Sequence, residues 1–325
     1  MLKKLRSTTR QTLLAVAIGL TATAALAGDY PDKPISLTVA YGPGGATDFQ
    51  ARIATMTAAG ILGQPVVIVN RPGAGGRVGW NWAVERGSKD GYDLIAYNLP
   101  HMIAQWTADK SVKYNADNII PLGNWGSDPA VLVVPKDSPF KTAKEFADHA
   151  RANPGKLTVS GAGLLTGHHV ATLQFEHAAK VKLNFLPAEK GGVQALQFVI
   201  GGQVQGGFNN LSDVWRNQDK LRILGIAANE RDKDFLPEVP TFKESGFDID
   251  DTSTNLRGIA AVKGTPPEVL DYIAKRLPET FNSKVVLNRL KETGSPALVL
   301  DRQQTEELFR KRTEAVKALF KEIKE

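Results

Sequence analysis

Strands and helices alternate along this chain, and a glycine-rich loop joins several of the pairs. The first instance is an apolar, β-branched run at 35–41, followed by Gly42-Pro43-Gly44-Gly45 and a helix predicted over 47–62. Thr47 with Gln50 matches a capping box at the start of that helix, and Gly63 is a typical stop signal. This alternation predicts a parallel sheet with crossover helices.

The same order continues through the rest of the chain. Further strands are predicted at 66–69, 93–97, 131–134, 157–160, 183–186, 204–208, 221–227 and 257–262. Further helices are predicted at 78–86, 142–152, 167–180 and 192–200, and the remainder after 262 reads as helical, ending in 305–324. These elements fit two α/β units of about 100 to 125 residues each, with the C-terminal helices left over.

The N-terminal segment has the pattern of an export signal. Residues 1–10 carry four Lys or Arg residues and no acid, and 13–26 are almost all small or apolar. Ala25-Leu26-Ala27 then matches the small-x-small cleavage pattern. A membrane anchor is the alternative, but the apolar stretch is short for a bilayer and no cluster of stop-transfer charges follows it. We therefore predict a signal peptide over 1–27, cleavage after Ala27, and a periplasmic location.

Charge and cysteine content exclude several classes of function. The chain has 40 Lys and Arg against 34 Asp and Glu residues, but four of the cations lie in the predicted signal. The 36 that remain nearly balance the acids, so the charge does not indicate a nucleic-acid-binding protein. With no cysteine there is no disulfide, thiolate metal site or cysteine nucleophile. No later window has 18 apolar residues, so we predict no membrane-spanning segment there.

Three glycine-rich loops, 42–48, 73–76 and 161–167, each lie between a predicted strand and a predicted helix. Such a loop presents free backbone N–H groups and the positive end of a helix dipole, which together suit a small anion. Nucleotide binding is disfavoured, because no loop ends in Gly-Lys-Ser/Thr and the dinucleotide pattern is broken at Thr166 and Val78. The first and third loops fit an anion site or a tight turn equally well. The second is more typical of a turn.

Histidines and Asp48 leave a hydrolytic or ligand-binding role open. The chain has five histidines but neither an HExxH motif nor a GxSxG elbow, so we expect no catalytic residue and no metal site. His168 or His169, near a helix start, could donate to a ligand, although capped or solvated histidines are commoner. Asp48 either complements the helix dipole or orients a ligand group. An exported hydrolase using a histidine with Ser160 or Thr166 is the rival hypothesis.

Short motifs are distributed over the whole mature chain. They are Tyr30-Pro-Asp-Lys-Pro-Ile35, Pro43-Gly-Gly-Ala-Thr-Asp48, Leu62-Gly-Gln-Pro-Val66, Asn70-Arg-Pro-Gly-Ala-Gly-Gly76, Asp90-Gly-Tyr92, Asn153-Pro-Gly155, Gly201-Gly-Gln-Val204, Val239-Pro-Thr241 and Glu244-Ser-Gly246. Each motif is weak, but their order and spacing together are specific. In these motifs the chain resembles the extracytoplasmic solute receptors of the tripartite tricarboxylate transporter family, also called Bug proteins.

The resemblance implies an α/β, periplasmic-binding-protein-like fold, with two α/β domains and a ligand cleft between them. In the family the chain crosses between the domains twice. Here that implies a first domain of 29–127 plus 252–325 and a second domain of 128–251. Closing the two domains over the ligand would hide it from water and strengthen its hydrogen bonds.

The resemblance also implies where the ligand binds. One carboxylate would be held between loops 42–48 and 161–168, largely by backbone N–H groups and bridging waters, with no cation needed. The expected ligand-binding residues are Tyr41, Gly44, Gly45, Ala46, Thr47, Asp48, Asn98, Gly161, Gly163, Thr166, Gly167, His168, Asn209 and Asn210. Asn255 and Arg257, near the second crossing, fit either ligand contacts or hinge packing.

The expected function is periplasmic capture of a small carboxylate and its delivery to membrane permease subunits. The ligand class includes di- and tricarboxylates and aromatic acids. Two departures from the family pattern leave the ligand's identity open, at Pro187-Ala-Glu-Lys-Gly191 and at Thr166-Gly167-His168. A receptor for a signalling partner is the alternative. We expect a monomer that is not an enzyme, uses no cofactor and does not bind nucleic acid.

Overall fold

Eleven strands and eleven helices make up the part of the chain that the computed structural model describes, residues 30–323. The strands are β1 (Ile35–Val39), β2 (Val66–Asn70), β3 (Asp93–Leu99), β4 (Ile119–Asp128), β5 (Ala130–Pro135), β6 (Thr158–Gly161), β7 (Asn184–Pro187), β8 (Gly206–Asn210), β9 (Leu221–Ile226), β10 (Asn255–Val262) and β11 (Ala297–Leu300). The predicted signal peptide and its cleavage site lie outside the described residues.

The helices pack around these strands. They are α1 (Ala46–Ala54), α2 (Ala58–Leu62), α3 (Arg77–Arg86), α4 (His101–Ala108), α5 (Ala143–Ala152), α6 (Gly167–Ala179), α7 (Gly192–Ile200), α8 (Leu211–Trp215), α9 (Pro267–Asn282), α10 (Lys284–Glu292) and α11 (Arg302–Glu322). Short 3-10 turns lie at Ala74–Gly76 and Asp251–Ser253. Among the described residues, no helix combines the length and apolar character needed to cross a membrane.

The strands form two mixed sheets rather than the parallel sheet that the alternation predicted. The first has the order β11-β4-β10-β3-β1-β2 and the second β7-β6-β8-β5-β9. β1 runs parallel to β2 and β3, and β6 runs parallel to β7 and β8. β10 and β5 run antiparallel to both of their neighbours. These two strands directly follow the passages of the chain from one sheet to the other.

Both sheets are buried on both faces, which is why their strands read as nearly continuous apolar runs. In β3, Leu94 and Ala96 belong to one hydrophobic cluster, while Ile95 belongs to another. In β5, Leu132 and Val131 are divided between two clusters in the same way. Helices therefore cover each sheet on two sides, and the loops at the strand ends are left to form a site.

The chain passes between the sheets twice. Only Pro129 separates β4 from β5, and the return runs through the 3-10 turn Asp251–Ser253 into β10. Arg312 of α11 fastens this second passage, since its guanidinium lies 2.9 Å from the carboxylate of Asp251. We retain the two domains of 29–127 plus 252–325 and 128–251 as a proposal, which the sheet memberships support.

Several local predictions differ from the structure. The helix predicted at 47–62 is two helices, α1 and α2, and the capping box is wrong, because Gly45 is the N-cap and no side chain caps it. The Thr47 hydroxyl instead contacts Asn98 and Arg257. The prediction missed α4, β11 and also β4, whose sequence IIPLGNWGSD is interrupted by proline and glycine.

Candidate functional site

A cavity lies where β1, β3, β6 and β8 end, between the two sheets. The space between its walls is about 350 Å³ when the open solvent at its mouth is included. It is lined by Tyr41, Gly42, Gly45, Ala46, Thr47, Asn98, His101, Ala162, His168, Lys190, Gly191, Gly192, Asn210, Asp213 and Asn255. The site is thus at the carboxyl ends of strands, where open α/β sheets bind ligands.

The structure brings half of the residues expected to bind ligand to this cavity. Those in its lining are Tyr41, Gly45, Ala46, Thr47, Asn98, His168 and Asn210. Outside the lining lie Gly44, Asp48, Gly161, Gly163, Thr166, Gly167 and Asn209. The first loop therefore faces the cavity mainly with its backbone, and the third loop mainly with Ala162 and His168.

The first residues of helix α1, Ala46 and Thr47, lie in the wall of the cavity. Within residues 30–323, no hydrogen-bond acceptor is found for the N–H groups of Ala46 and Thr47, and the N-cap Gly45 supplies no side chain. First-turn N–H groups have no partner inside their own helix and lie at the positive end of its dipole. This end of the cavity can therefore bind a carboxylate without a cationic side chain.

Asp48 supports the first loop from behind. Its carboxylate accepts hydrogen bonds from the Gly44 N–H at 2.9 Å, from Arg52 at 2.9 Å and from Asn70 at 2.9 Å. Burial raises the pKa of Asp48, but the hydrogen bonds from Arg52, Gly44 and Asn70 outweigh burial and hold the pKa below its ordinary value. Asp48 is therefore a charged residue that stabilises the loop through hydrogen bonds, and it does not line the cavity.

His168 is a buried side chain in the lining of the cavity. Its Nδ1 accepts the Ala162 N–H at 3.1 Å, whereas its Nε2 is buried and makes no hydrogen bond within the described residues. Burial lowers the pKa of His168 to about 4 and outweighs the neighbouring Asn210 side chain, which raises it, so the ring is neutral at pH 7. Because Nδ1 is an acceptor, the ring proton lies on Nε2, and the group can donate to a ligand.

His101 joins the two halves of the cavity floor. The Gly167 N–H at the start of α6 lies 3.2 Å from Nδ1 of the His101 ring. Burial, then the neighbouring His168 and Arg257, lower the pKa of His101 well below its ordinary value. A Cβ atom on Gly167 would lie 3.0 Å from Cε1 of His101, so the glycine permits this close contact.

Arg257 is a structural ion-pair partner and does not line the cavity. Its Nη1 lies 2.7 Å from Oδ2 of Asp128, and both side chains are fully buried. The same guanidinium donates to Thr47 and Gln50, while Asp128 also accepts from Ser212. These contacts join α1, both passages between the sheets and α8. Of the two roles that the sequence left open for Arg257, the contacts favour hinge packing.

Side-chain amides form the floor beside this ion pair. The Asn255 amide lies 2.7 Å from that of Asn210 and 3.3 Å from that of Asn98. All three side chains line the cavity; Asn98 belongs to β3, Asn210 is the last residue of β8 and Asn255 is the first residue of β10. Groups from both sheets therefore meet on one uncharged polar surface.

Sequence reasoning missed two charged residues in the lining. Lys190, just before α7, brings a cation to a site that was expected to contain none. Asp213 in α8 is 3% exposed, and burial raises its pKa above the ordinary value. The sequence did offer one sign for Asp213. It lies three residues, or about one helical turn, after Asn210, in the helix that follows the end of a strand.

Comparison with known proteins gives concordant matches. The model of the tripartite tricarboxylate transporter family receptor matches residues 50–324. The protein BugT of Bordetella pertussis is 30% identical over 302 residues, covering 90% of this chain and 91% of BugT. The structure of the periplasmic binding protein BugD has a TM-score of 0.82 at 25% identity, covering 90% of this chain and 98% of BugD. MatC from Rhodopseudomonas palustris, solved with bound malate, has a TM-score of 0.81 at 26% identity, covering 89% of this chain and 99% of MatC.

Proposed function

Because the chain belongs to the receptor family of tripartite tricarboxylate transporters, whose members are solute-binding proteins rather than enzymes, we propose that it captures a small carboxylate in the periplasm. It then delivers this solute to the membrane subunits of a transporter. The cavity between the two sheets is the proposed binding site, and the ligand is the carboxylate of a small organic acid.

The observation that carries this proposal is the unpaired Nε2–H of His168. A buried donor without a partner costs about 1–3 kcal/mol, and an incoming carboxylate would remove that cost. The free N–H groups of Ala46 and Thr47 face the same cavity, so one carboxylate has several neutral donors within its reach. The malate bound to MatC supports the same class of ligand for this chain.

The side chains of the hydrolase hypothesis are engaged elsewhere. The Ser160 hydroxyl donates to the carbonyl oxygen of Ala195 at 2.8 Å, and the Thr166 hydroxyl donates to that of Gly163 at 2.8 Å. Neither residue lines the cavity. The Nδ1 of His168 is occupied by the Ala162 N–H, so His168 is not paired with either hydroxyl as a base for covalent catalysis would be.

Identification of the ligand tests the proposal directly. Protein purified from the periplasm under native conditions should release a carboxylic acid that mass spectrometry identifies, and adding that acid back should raise the melting temperature. His168→Leu should weaken binding at least tenfold, whereas the exposed His177→Leu should bind as the wild type does. Stabilisation by no carboxylate at all would contradict the proposal.

Transport and signalling are separated in the cell. Deleting the gene should abolish growth on the identified acid at low concentration, and supplying the gene again should restore it. Normal uptake in the deletion strain, together with a lost transcriptional response to the acid, would favour the receptor for a signalling partner instead.

A further inference from the structure

The third glycine loop contains a leucine with a left-handed backbone conformation. Leu165 directly precedes Thr166, the N-cap of α6, and has a φ of +56°. Residues other than glycine seldom adopt this conformation, because their Cβ atom comes too close to the backbone. Such a turn persists only where the surrounding structure holds it. Leu165 therefore depends on contacts that fix its backbone from outside the turn.

His169 supplies one of these contacts. Its Nδ1 accepts the Leu165 N–H at 3.2 Å, and its ring packs on Phe185 of β7 with the ring centroids 4.5 Å apart. Burial lowers the pKa of His169 to about 4, so the ring is neutral at pH 7 and Nδ1 is free to accept. His169 is the third residue of α6, the position from which Glu or Gln reaches back in a capping box. The ring thus holds the chain just before the helix.

The turn at Leu165 carries the third loop to the other sheet. The Leu165 side chain packs against a hydrophobic cluster that includes Ile95 of β3, and Val170 of α6 is buried in the same cluster. The carbonyl oxygen of Leu164 lies beside the second loop, 3.2 Å from the position of a Cβ atom on Gly75. A loop that follows β6 of the second sheet is therefore held against elements of the first sheet.

We propose that His169 is a positioning residue for closure of the cavity, because its hydrogen bond to Leu165 holds the third loop against the first sheet. His169 does not line the cavity, whereas His168 does. The two adjacent histidines accept N–H groups from the same loop, His168 from Ala162 and His169 from Leu165. The inference deepens the proposed function, and it rests on that function only for its effect on solute binding.

Two substitutions separate the hydrogen bond from the ring packing. His169→Phe keeps a ring against Phe185 but has no acceptor, whereas His169→Gln loses the ring and keeps an acceptor that reaches back from this helix position. In free protein, His169→Phe should speed hydrogen exchange of the Leu165 amide about tenfold, and His169→Gln should leave it close to wild type. His149→Phe is the matched control, because His149 also lies against a phenylalanine, Phe140, with ring centroids 5.3 Å apart.

Closure is measured on the same variants with spin labels. Since the chain has no cysteine, labels on Glu85→Cys in α3 and Gln197→Cys in α7 report the distance between an exposed position beside each sheet. Wild type, His169→Gln and His149→Phe should give one narrow distance distribution, and His169→Phe a broader and longer one. Malate is the probe for binding, and calorimetry should find it bound about tenfold more weakly by His169→Phe than by the wild type.

The outcomes separate this inference from the proposed function. Unchanged exchange of Leu165 and an unchanged distance distribution in His169→Phe would overturn the role of His169. Loss of both in His169→Gln but not in His169→Phe would assign the effect to ring packing and overturn it too. Absence of malate binding by the wild type would count against the proposed function alone, because exchange and distance need no solute.

A measurement on the wild type decides if His169→Phe does not fold. Nitrogen chemical shifts of the His169 ring should show the proton on Nε2 and an acceptor at Nδ1, as the hydrogen bond from Leu165 requires. A proton on Nδ1 at pH 7 would overturn the proposal, since that nitrogen could not accept the Leu165 N–H.

Discussion

Gly75 and Gly163 contact each other backbone to backbone, and so join the second and third glycine loops. A Cβ atom on Gly163 would lie 3.2 Å from Cα of Gly75, and one on Gly75 would lie 3.2 Å from the carbonyl oxygen of Leu164. The carbonyl oxygen of Gly75 is held by hydrogen bonds from Tyr41 and Gln105, both 2.9 Å long. The second loop, which contains the 3-10 turn Ala74–Gly76, therefore does more than join β2 to α3, because it also contacts the third loop.

Gly75→Ala should hinder this contact. The new methyl group would meet Leu164, Thr166 and Gln105 at 3.2 Å, so the loops would have to separate by a few tenths of an ångström. We expect ligand affinity to fall at least tenfold, about 1.4 kcal/mol, when measured by calorimetry. Gly155→Ala is the matched control, because Gly155 has a similar φ of +71° but no atom within 4 Å of its Cβ position. Equal affinities of the two variants would contradict the role of the contact.

Gly44 and Gly45 should respond differently to substitution. Gly44 has a φ of +81° with open space around it, so Gly44→Ala should cost about 1 kcal/mol of stability through backbone strain. Gly45 is extended, at φ −72°, and lines the cavity, so Gly45→Val should weaken ligand binding, and its effect on stability should be limited to the poorer N-cap of α1. Chemical denaturation and calorimetry measure the two effects. Wild-type affinity of Gly45→Val would count against binding through the backbone of the first loop.

Acid should destabilise the protein through its buried neutral histidines. The pKa of His168 is about 4 in the folded protein and about 6.5 when unfolded, so the unfolded state binds the extra proton first as pH falls. The stability is present above pH 6.5 and is lost progressively toward pH 4, on the order of 2 kcal/mol for this group at pH 5.

His168→Asn keeps an acceptor for the Ala162 N–H but does not titrate. Its free energy of unfolding should therefore fall less between pH 7 and pH 5 than that of the wild type. Parallel pH profiles of the two proteins in urea would contradict the buried neutral state of His168.

The buried ion pair between Asp128 and Arg257 should be costly to break on one side only. Asp128→Asn leaves the Arg257 guanidinium without its 2.7 Å partner inside the protein, so we expect a loss of about 3–5 kcal/mol. Replacing both residues, as in Asp128→Asn with Arg257→Met, should cost less than the single change, because no buried charge remains unpaired. Denaturant unfolding of the wild type, the two single variants and the double variant gives the coupling free energy between Asp128 and Arg257. If the two single losses simply add up in the double variant, the two residues do not stabilise each other.

Local sequence patterns anticipated most of the individual elements. The strands β1 and β3 and the helix α7 were predicted correctly. Their signals, apolar periodicity and a glycine at the end of the element, depend only on residues that are close in the sequence. β4 escaped because Pro121 and Gly123 break its pattern, yet pairing with β10 along its whole length keeps it extended. Periodicity alone did not predict two domains with a cleft between them; that expectation came from the resemblance to a receptor family.

Only part of the candidate site could be predicted, because only part of it is formed by residues that are neighbours in the sequence. The first loop and His168 were found because a strand end, glycines and a helix start lie together in sequence. Lys190 also lies between a strand end and a glycine-rich helix start, but that loop was not recognised as part of the site, and Asp213 has only its place one turn after Asn210. Both reach the cavity because β8 and α7 pack against β6.

Local patterns in the sequence were enough to predict an export signal, the alternating elements, a near-neutral charge and glycine loops that expose backbone N–H groups. The mixed strand directions, the pairing of Arg257 with a carboxylate 129 positions away, and the positions of His168 and Asp213 on either side of Gly192 appear only in the folded chain. Helix starts and turns depend on residues a few positions apart, whereas the burial that lowers the pKa of His168 and raises that of Asp213 exists only after the two sheets have packed.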